Sequence, residues 1–436
     1  MTKNFQNHIT QNLTFLTKGK LLIAISGGLD SVVLTHLCHQ LKLNFALAHC
    51  NFNLRADESD ADEDFVLQLA EDLELEVFIE SFDTKAYTKQ HKLSTQLAAR
   101  ALRYNWFYEL AEQLHFDYIL TAHHADDNLE TFLINLSRGT GLDGLIGIPE
   151  VNDIVVRPLL PFSRQTIAAY AKNNRLQWRD DSSNASNNYL RNKLRHKVIP
   201  ILKDINPQML SNFQHTQKHL NDTKTIVEDA IISLQKKVVS VEGNLIKLNV
   251  KKLKKLSNPK AYLYELLKDF NFTEWNDVAN LLDTQSGKQV LSSTHRLIKD
   301  RDYLLLTEMT ADENYDEICI SEGEKEVKTP FGVLLFDEVD AVLNKKAEVI
   351  YLDKNKLKFP LKVRQWQEGD YFYPSGMKGK KKLSKYFKDE KLSLIDKENS
   401  WLLCSNNTIV WIVGKRADAR FMVTEKTKQI LKIEIQ

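Results

Sequence analysis

The chain has 436 residues, 43% of them hydrophobic and 27% charged, with 59 basic side chains against 58 acidic ones. That length spans two to four domains of roughly 100–200 residues each, and the composition is that of a soluble globular protein. The net charge of +1 excludes nucleic-acid binding that rests on bulk charge, so any such role must come from local clusters. No run approaches the roughly 18 apolar residues of a membrane helix, and Met1 to Lys20 lacks the apolar core of a signal peptide. A cytoplasmic protein with no membrane partner is expected. Cys38, Cys50, Cys319 and Cys404 form no CxxC pair. That spacing excludes a zinc ribbon or redox dithiol and reads as small buried hydrophobes.

In chain order, Leu21–Ile25 reads as a strand, Ser31–Leu41 as a helix, Phe45–His49 as a strand and Ser59–Leu73 as a helix. Glu76–Ile79 is the third strand. Ser94 caps a long helix reaching Leu114, Tyr118–Thr121 is the fourth strand, and Asp127–Leu136 is helical. Repeated β-α units predict an α/β fold with a doubly wound, Rossmann-like parallel sheet over residues 1–205. Ser211–Lys254 and Ala261–Leu282 read as helix and Val290–Leu306 as a hairpin, giving a mainly helical domain over 211–310. Short apolar runs at Val333–Phe336, Ile409–Val413 and Leu431–Ile435 predict a small β-rich domain over 350–436.

The sharpest motif is Ser26-Gly27-Gly28-Leu29-Asp30-Ser31, placed between a strand and a helix. Glycines there permit a positive φ and close backbone approach. The N–H groups and positive dipole end of the helix start suit a phosphate. Asp30 fits beside an anion if it helps hold Mg²⁺. This loop resembles the signature of the N-type ATP pyrophosphatases and not a Walker A loop, since GxxxxGK[ST] is absent. The resemblance implies ATP cleaved between its α- and β-phosphates and a substrate oxygen adenylated.

Further patches choose within that group. His49-Cys50-Asn51-Phe52-Asn53-Leu54-Arg55 is similar to the HxNHxLR patch of the tRNA(Ile)-lysidine synthetase family, with Phe52 replacing the usual second histidine. His49 and Arg55 are carried over from it. Ala99-Arg100-Ala101-Leu102-Arg103-Tyr104 resembles that family's ARxxRY pattern, which implies Arg103 at the ATP phosphates. Thr121-Ala122-His123-His124-Ala125-Asp126-Asp127-Asn128-Leu129-Glu130-Thr131 resembles HHxDDxxET. His123 is a candidate for proton transfer or nucleotide binding. Asp127 and Glu130, three apart on a helix, are candidates for metal ligation with Asp30 or for pairing with a cationic substrate. Arg138 to Leu145, Arg157-Pro158-Leu159-Leu160, Asp181-Ser182-Ser183-Asn184 and Arg191-Asn192-Lys193-Leu194-Arg195 follow the same pattern. They imply Arg191 and Arg195 as tRNA contacts, with Arg195 also catalytic.

Seven lysines face two acids between Gly376 and Lys391. Lys378, Lys380, Lys381, Lys382 and Lys385, with Tyr386 and Phe387 among them, suit a phosphate backbone and a base. Arg364 to Phe387 and Val413-Gly414-Lys415-Arg416 also resemble the family's C-terminal domain. The resemblance implies an ATP- and Mg²⁺-dependent ligase. It would join L-lysine to C2 of the wobble cytidine of a CAU-anticodon isoleucine tRNA, with His123 or Asp127 as base; homodimerisation is left open. A tRNA thiolase or another ligase of the superfamily is the alternative, disfavoured by the missing CxxC pair.

Overall fold

The computed structural model of the chain describes residues 1–54, 57–179, 190–309, 316–343, 348–377 and 379–436. They form two units, Met1–Glu228 and Asp229–Gln436.

In the first unit β1 (Leu21–Ala24), β2 (Phe45–Asn51), β3 (Val77–Ser81), β4 (Tyr118–Leu120), β5 (Val151–Asn152) and β6 (Val155–Val156) form one sheet. Its order is β3-β2-β1-β4-β6-β5. All pairings are parallel except the antiparallel edge of β5 on β6. The order reverses between β1 and β4, and in open α/β sheets ligands bind at the strand ends beside such a switch. The helices are α1 (Thr2–Asn12), α2 (Leu29–Gln40), α3 (Asp57–Asp72), α4 (Thr84–His91), α5 (Thr95–Leu114) and α6 (Ala125–Arg138). Then follow α7 (Leu142–Leu145), α8 (Arg164–Asn173), α9 (Leu190–Lys193), α10 (Ile199–Ile205) and α11 (Met209–Val238), which runs on into the second unit.

Alternation along β1 divides the core. Leu21 and Ile23 pack with Phe5, Val33, Leu37, Leu69 and Ile167, from α1, α2, α3 and α8. Leu22 faces the other way, onto Phe107, Leu110 and Ala111 of α5. Both sheet faces are therefore covered, which is why the strands read as continuous apolar runs. The long helix starts where the sequence places it, with Ser94 Oγ accepting from Leu97 N at 3.4 Å.

The second unit departs from the expected helix over 211–254. Helix α11 ends at Val238, and Val239–Glu242 pairs antiparallel with Leu245–Asn249. The β-branched Val239 and Val241 favour strand, and Gly243 at φ 56° supplies the tight turn. Ala261–Leu282 is likewise two short helices, Pro259–Leu267 and Trp275–Asn280, separated at Asn271 with φ 59°. The expected hairpin at 290–306 is three strands, Gln289–Leu291, His295–Asp300 and Tyr303–Glu308.

From Ile318 onward the chain is strand-rich, as the sequence predicts. Two four-stranded sheets enclose Leu334, Phe336, Leu352, Val363, Leu403 and Ile433. On the outer face of one of them, Leu402, Cys404 and Ile412 are covered by Leu383, Tyr386 and Phe387 of the helix Leu383–Asp389. Tyr386 and Phe387 are thus core residues and not base-stacking rings. Their spacing along the helix points both inward, while the lysines stay outside.

Candidate active site

The phosphate loop joins β1 to α2. Gly27 lies at φ 79°, a conformation that requires glycine, and a Cβ there would stand a tight 3.3 Å from Phe65. Gly28 is the N-cap of α2 and offers no capping side chain, which leaves the first-turn N–H groups for a ligand. Ser31 Oγ accepts from Ser26 N at 3.2 Å and donates to Gly28 O at 3.0 Å, fixing the loop. Arg179 N donates to Gly27 O at 2.9 Å, and its side chain pairs with Asp62 of α3 at 2.8 Å.

Beside the loop, the β4 strand end runs into α6. His124 is the helix N-cap: its Nδ1 accepts from Asp127 N at 3.3 Å, and Asp127 Oδ2 accepts from His124 N at 3.1 Å. With Nδ1 accepting, the ring proton is on Nε2, which lies 3.7 Å from Asp30 Oδ2 and 3.4 Å from Asp127 Oδ2. Asp30 Oδ1 is buried without a hydrogen-bond partner. Burial pushes the Asp30 carboxyl up, His124 opposes this, and Asp127 reinforces it. An oxygen in that position is poised for a cation.

Glu130, 1% exposed, sits one helical turn beyond Asp127. Arg195 Nε donates to Glu130 Oε1 at 2.6 Å, and its NH2 donates to Glu130 Oε2 at 2.9 Å and to Asp127 Oδ1 at 3.0 Å. Burial pulls the Arg195 guanidinium down, but its bonds to Glu130 more than offset that and the net shift is upward. Burial also pushes the Glu130 carboxyl up, with the Arg195 pair opposing. Arg195 lies in a π-helical turn, Leu194–Val198, between α9 and α10. Pro200 lacks the N–H that would bond back to His196, and the widened turn accommodates that loss. Arg191 stands nearby, donating to Thr131 Oγ1 at 2.9 Å. A cavity of about 450 Å³ opens here, lined by Leu29, Glu130, Arg164, Trp178, Arg195 and Lys203 among others.

The expected residues therefore converge, with qualifications. Asp30, Asp127, Glu130 and Arg195 form one cluster at the loop. Glu130, expected as a metal ligand, gives both oxygens to Arg195, and among the described residues no group of three His, Cys, Asp or Glu side chains is arranged to hold a metal. His123 Nδ1 lies 2.9 Å from Thr121 Oγ1. Burial lowers its imidazole to about 4, with Asp127 opposing and Arg157, Arg100 and Arg191 adding to the fall. Arg103 is exposed, its guanidinium 5.1 Å from the Phe52 ring centre, at the end of β2 and apart from the carboxylates. His49 Nδ1 lies 3.0 Å from Ile25 O, tying β2 to the strand that feeds the loop. Arg55, Lys378 and 181–184 lie outside the described residues.

Sequence reasoning missed the supports. Asp126 accepts from Arg164 N at 2.8 Å and from Lys203 Nζ, holding α8 and α10 to α6. Buried Asn128 bonds to Gln217 of α11 at 2.8 Å and accepts from Ile148 N at 2.7 Å. Gln217 carried no local signal, because its partner is 89 residues away.

In the C-terminal region Lys381 is committed to Asp389 at 2.8 Å, whereas Lys380, Lys382 and Lys385 are exposed. The available rings are Tyr371, 47% exposed and 5.0 Å from Lys380 Nζ, and Tyr373, 4.3 Å from the Arg420 guanidinium. The cysteines only partly fit the buried reading. Cys38 and Cys404 are buried, Cys50 half-buried and Cys319 exposed. Burial pushes the Cys50 thiol up to about 12, which removes the thiolate that sulfur transfer requires.

Three family models match the chain: the PP-loop domain over residues 1–202, the TilS substrate binding domain over 241–309 and the TilS substrate C-terminal domain over 361–435. The tRNA(Ile)-lysidine synthase of Parabacteroides distasonis is 42% identical over 416 residues, covering 94% of each chain. That of Bacteroides thetaiotaomicron is 38% identical over 427 residues, covering 97% of each. Among solved structures, the U34-tRNA thiolase NcsA of Methanococcus maripaludis aligns with a TM-score of 0.41 at 18% identity, over 50% of this chain and 78% of that one. Nearly full-length identity on this scale, joined to the loop and carboxylate geometry, places the chain in the tRNA(Ile)-lysidine synthase family.

Proposed function

We propose that the enzyme ligates L-lysine to C2 of the wobble cytidine in a CAU-anticodon isoleucine tRNA, consuming ATP and releasing pyrophosphate and AMP. The supporting observation is the meeting of a capless, glycine-built helix start with the Asp30–Asp127–Arg195–Glu130 cluster at the sheet's switch point. First the cytidine O2 attacks the α-phosphorus of ATP, forming a phosphoester bond as the bond to pyrophosphate breaks. The N–H groups of residues 29–31 receive the departing charge, and Arg191, whose Nε lies 3.7 Å from Glu130 Oε2, adds positive charge beside the cluster. Then the ε-amine of lysine attacks C2, the C2–O bond breaks, and AMP leaves.

Asp30 is the residue that best fits Mg²⁺, since its Oδ1 is buried with no other partner, whereas Glu130 gives both oxygens to Arg195 and Asp127 accepts from Arg195 and from His124 N. Bound there with phosphate oxygens, Mg²⁺ would neutralise charge on the triphosphate. His123 stays a neutral imidazole at physiological pH, and His123 or Asp127 would accept the proton from the lysine ammonium. Exposed Lys380, Lys382 and Lys385, with Tyr371 and Tyr373, supply a tRNA-binding surface.

The test is pyrophosphate release from ATP with lysine omitted. Release that requires isoleucine tRNA, with AMP recovered on the RNA, is expected. Release that needs lysine and ignores tRNA would mean that the amino acid is adenylated instead.

A further inference from the structure

A second cavity, of about 480 Å³, lies on the α5 side of the sheet near the ends of β5 and β6. Leu97, Arg100, Tyr104 and Tyr108 of α5 line one side, and Asn152 and Arg157 the other. None of these belongs to the phosphate loop or to the carboxylate cluster. Its character is aromatic, apolar and cationic at once. Leu97 is 55% and Tyr108 36% exposed, on a helix whose buried side chains are Ala98, Phe107, Leu110 and Ala111. The Arg100 guanidinium lies 4.9 Å from the Tyr104 ring centre. Arg157 is buried and held by a 2.7 Å bond from NH1 to Pro149 O. The cavity adjoins the chemistry through His123, whose proton affinity is lowered by burial, raised by Asp127, and lowered further by Arg157 and Arg100 of the cavity wall.

A flat, polar-edged ring is what two tyrosine faces, an apolar floor and two guanidinium groups accommodate. We infer that this cavity takes an unpaired nucleobase of the substrate RNA, one flanking the cytidine that reacts. The reacting base must reach the phosphate loop. A base seated in the cavity touches none of the loop residues, so it is a neighbour, held while the target is presented. The inference rests on the proposed RNA substrate, and it assigns that substrate a grip next to the reaction centre.

A double-mutant cycle tests it. Binding of the full chain to isoleucine tRNA is measured without ATP or lysine, so the outcome does not depend on the chemistry. The RNA is intact, or abasic at either nucleotide flanking the target cytidine, or abasic at the target itself. The protein is wild type, Tyr108→Ala or Arg100→Gln, each at an accessible position, with ATP affinity measured as a check on folding. Removing one flanking base is expected to weaken wild-type binding about tenfold, in line with the loss of one stacked base. The variants, already weakened, are expected to lose little more from that same abasic RNA. Additive losses at both flanking positions would overturn the inference, and coupling to the target position alone would overturn its assignment to a neighbour. Lysine incorporation by the wild-type protein, measured separately, reports on the proposed function. Modification without coupling would therefore sink the cavity and spare the function.

Discussion

Glu130 and Asp30 look interchangeable as acids near a triphosphate, yet their surroundings assign them different work. Glu130 is fully engaged by Arg195, and Asp30 keeps one buried oxygen unpartnered. Asp30→Asn is expected to raise the Mg²⁺ concentration needed for half-maximal turnover about tenfold or more. Glu130→Gln should lower turnover while leaving the Mg²⁺ requirement near wild type. The reverse pattern in a Mg²⁺ titration would reassign the ligands. His123 supplies a pH test. Its imidazole is lowered to about 4, so it is uncharged throughout pH 5.5–8 and can impose no inflection there, whereas an ordinary histidine would titrate near 6.5. His123→Gln should lower the rate without changing the shape of the profile. A wild-type inflection near pH 6.5 that vanishes in the variant would contradict this. At this scale the motifs bring Asp30, Asp127, Glu130 and Arg195 together, whereas Arg103 stands over Phe52, away from them. The sequence does not reveal which acid is neutralised, because Arg195 is 65 residues from Glu130.

Among the elements, helix α6 carries the site, and its anchors decide whether it stays in place. Asp126 fixes the start of α8 through the Arg164 backbone N–H and reaches Lys203. Burial alone would raise its pKa, but the Arg164 N–H and Lys203 outweigh burial and hold the carboxyl below the usual aspartate range. The folded pKa is depressed, so the stabilisation is present above about pH 4 and is lost as pH falls through the folded value. Asp126→Asn should cost about 1–3 kcal/mol at pH 7, and the gap to wild type should narrow below pH 4. A constant gap in denaturant titrations across that range would show that charge is not involved. Gly147, at φ 75°, is a stricter anchor: a Cβ would come within 2.1 Å of Asn128 Oδ1 and 2.2 Å of Gln217 Nε2. Pro200→Ala is the opposite case. Restoring an N–H there should let the π turn relax, moving Arg195 off Glu130 and lowering turnover with little loss of stability. Unchanged turnover would separate the turn from function. The elements of the sheet are legible from β-α periodicity, and the Ser94 cap from its position before an amphipathic run. The hairpin after α11 is not, since Val239 and Val241 also fit the end of a helical heptad pattern and only Gly243 marks the turn.

At the scale of the whole molecule, the proposed function assigns adenylation to the first unit and a tRNA-binding role to exposed lysines of the second. The family resemblance carried by the motifs reaches this conclusion before any geometry does. The exposed surface has to be read from the structure, because Tyr386 and Phe387 turn inward, Tyr371 is exposed and Tyr373 is half-buried. Replacing Lys380, Lys382 and Lys385 by alanine should weaken tRNA binding and reduce the slope of log affinity against log salt by about 2–3, one phosphate contact per lysine. An unchanged slope would make the cluster a solvated face. The most direct measurement of the central claim is transfer of radiolabelled lysine, with ATP and Mg²⁺, to an isoleucine tRNA bearing a CAU anticodon, beside a methionine tRNA with the same anticodon. Label in the isoleucine tRNA alone is predicted. Equal label in both, or pyrophosphate release with label in neither, would contradict it.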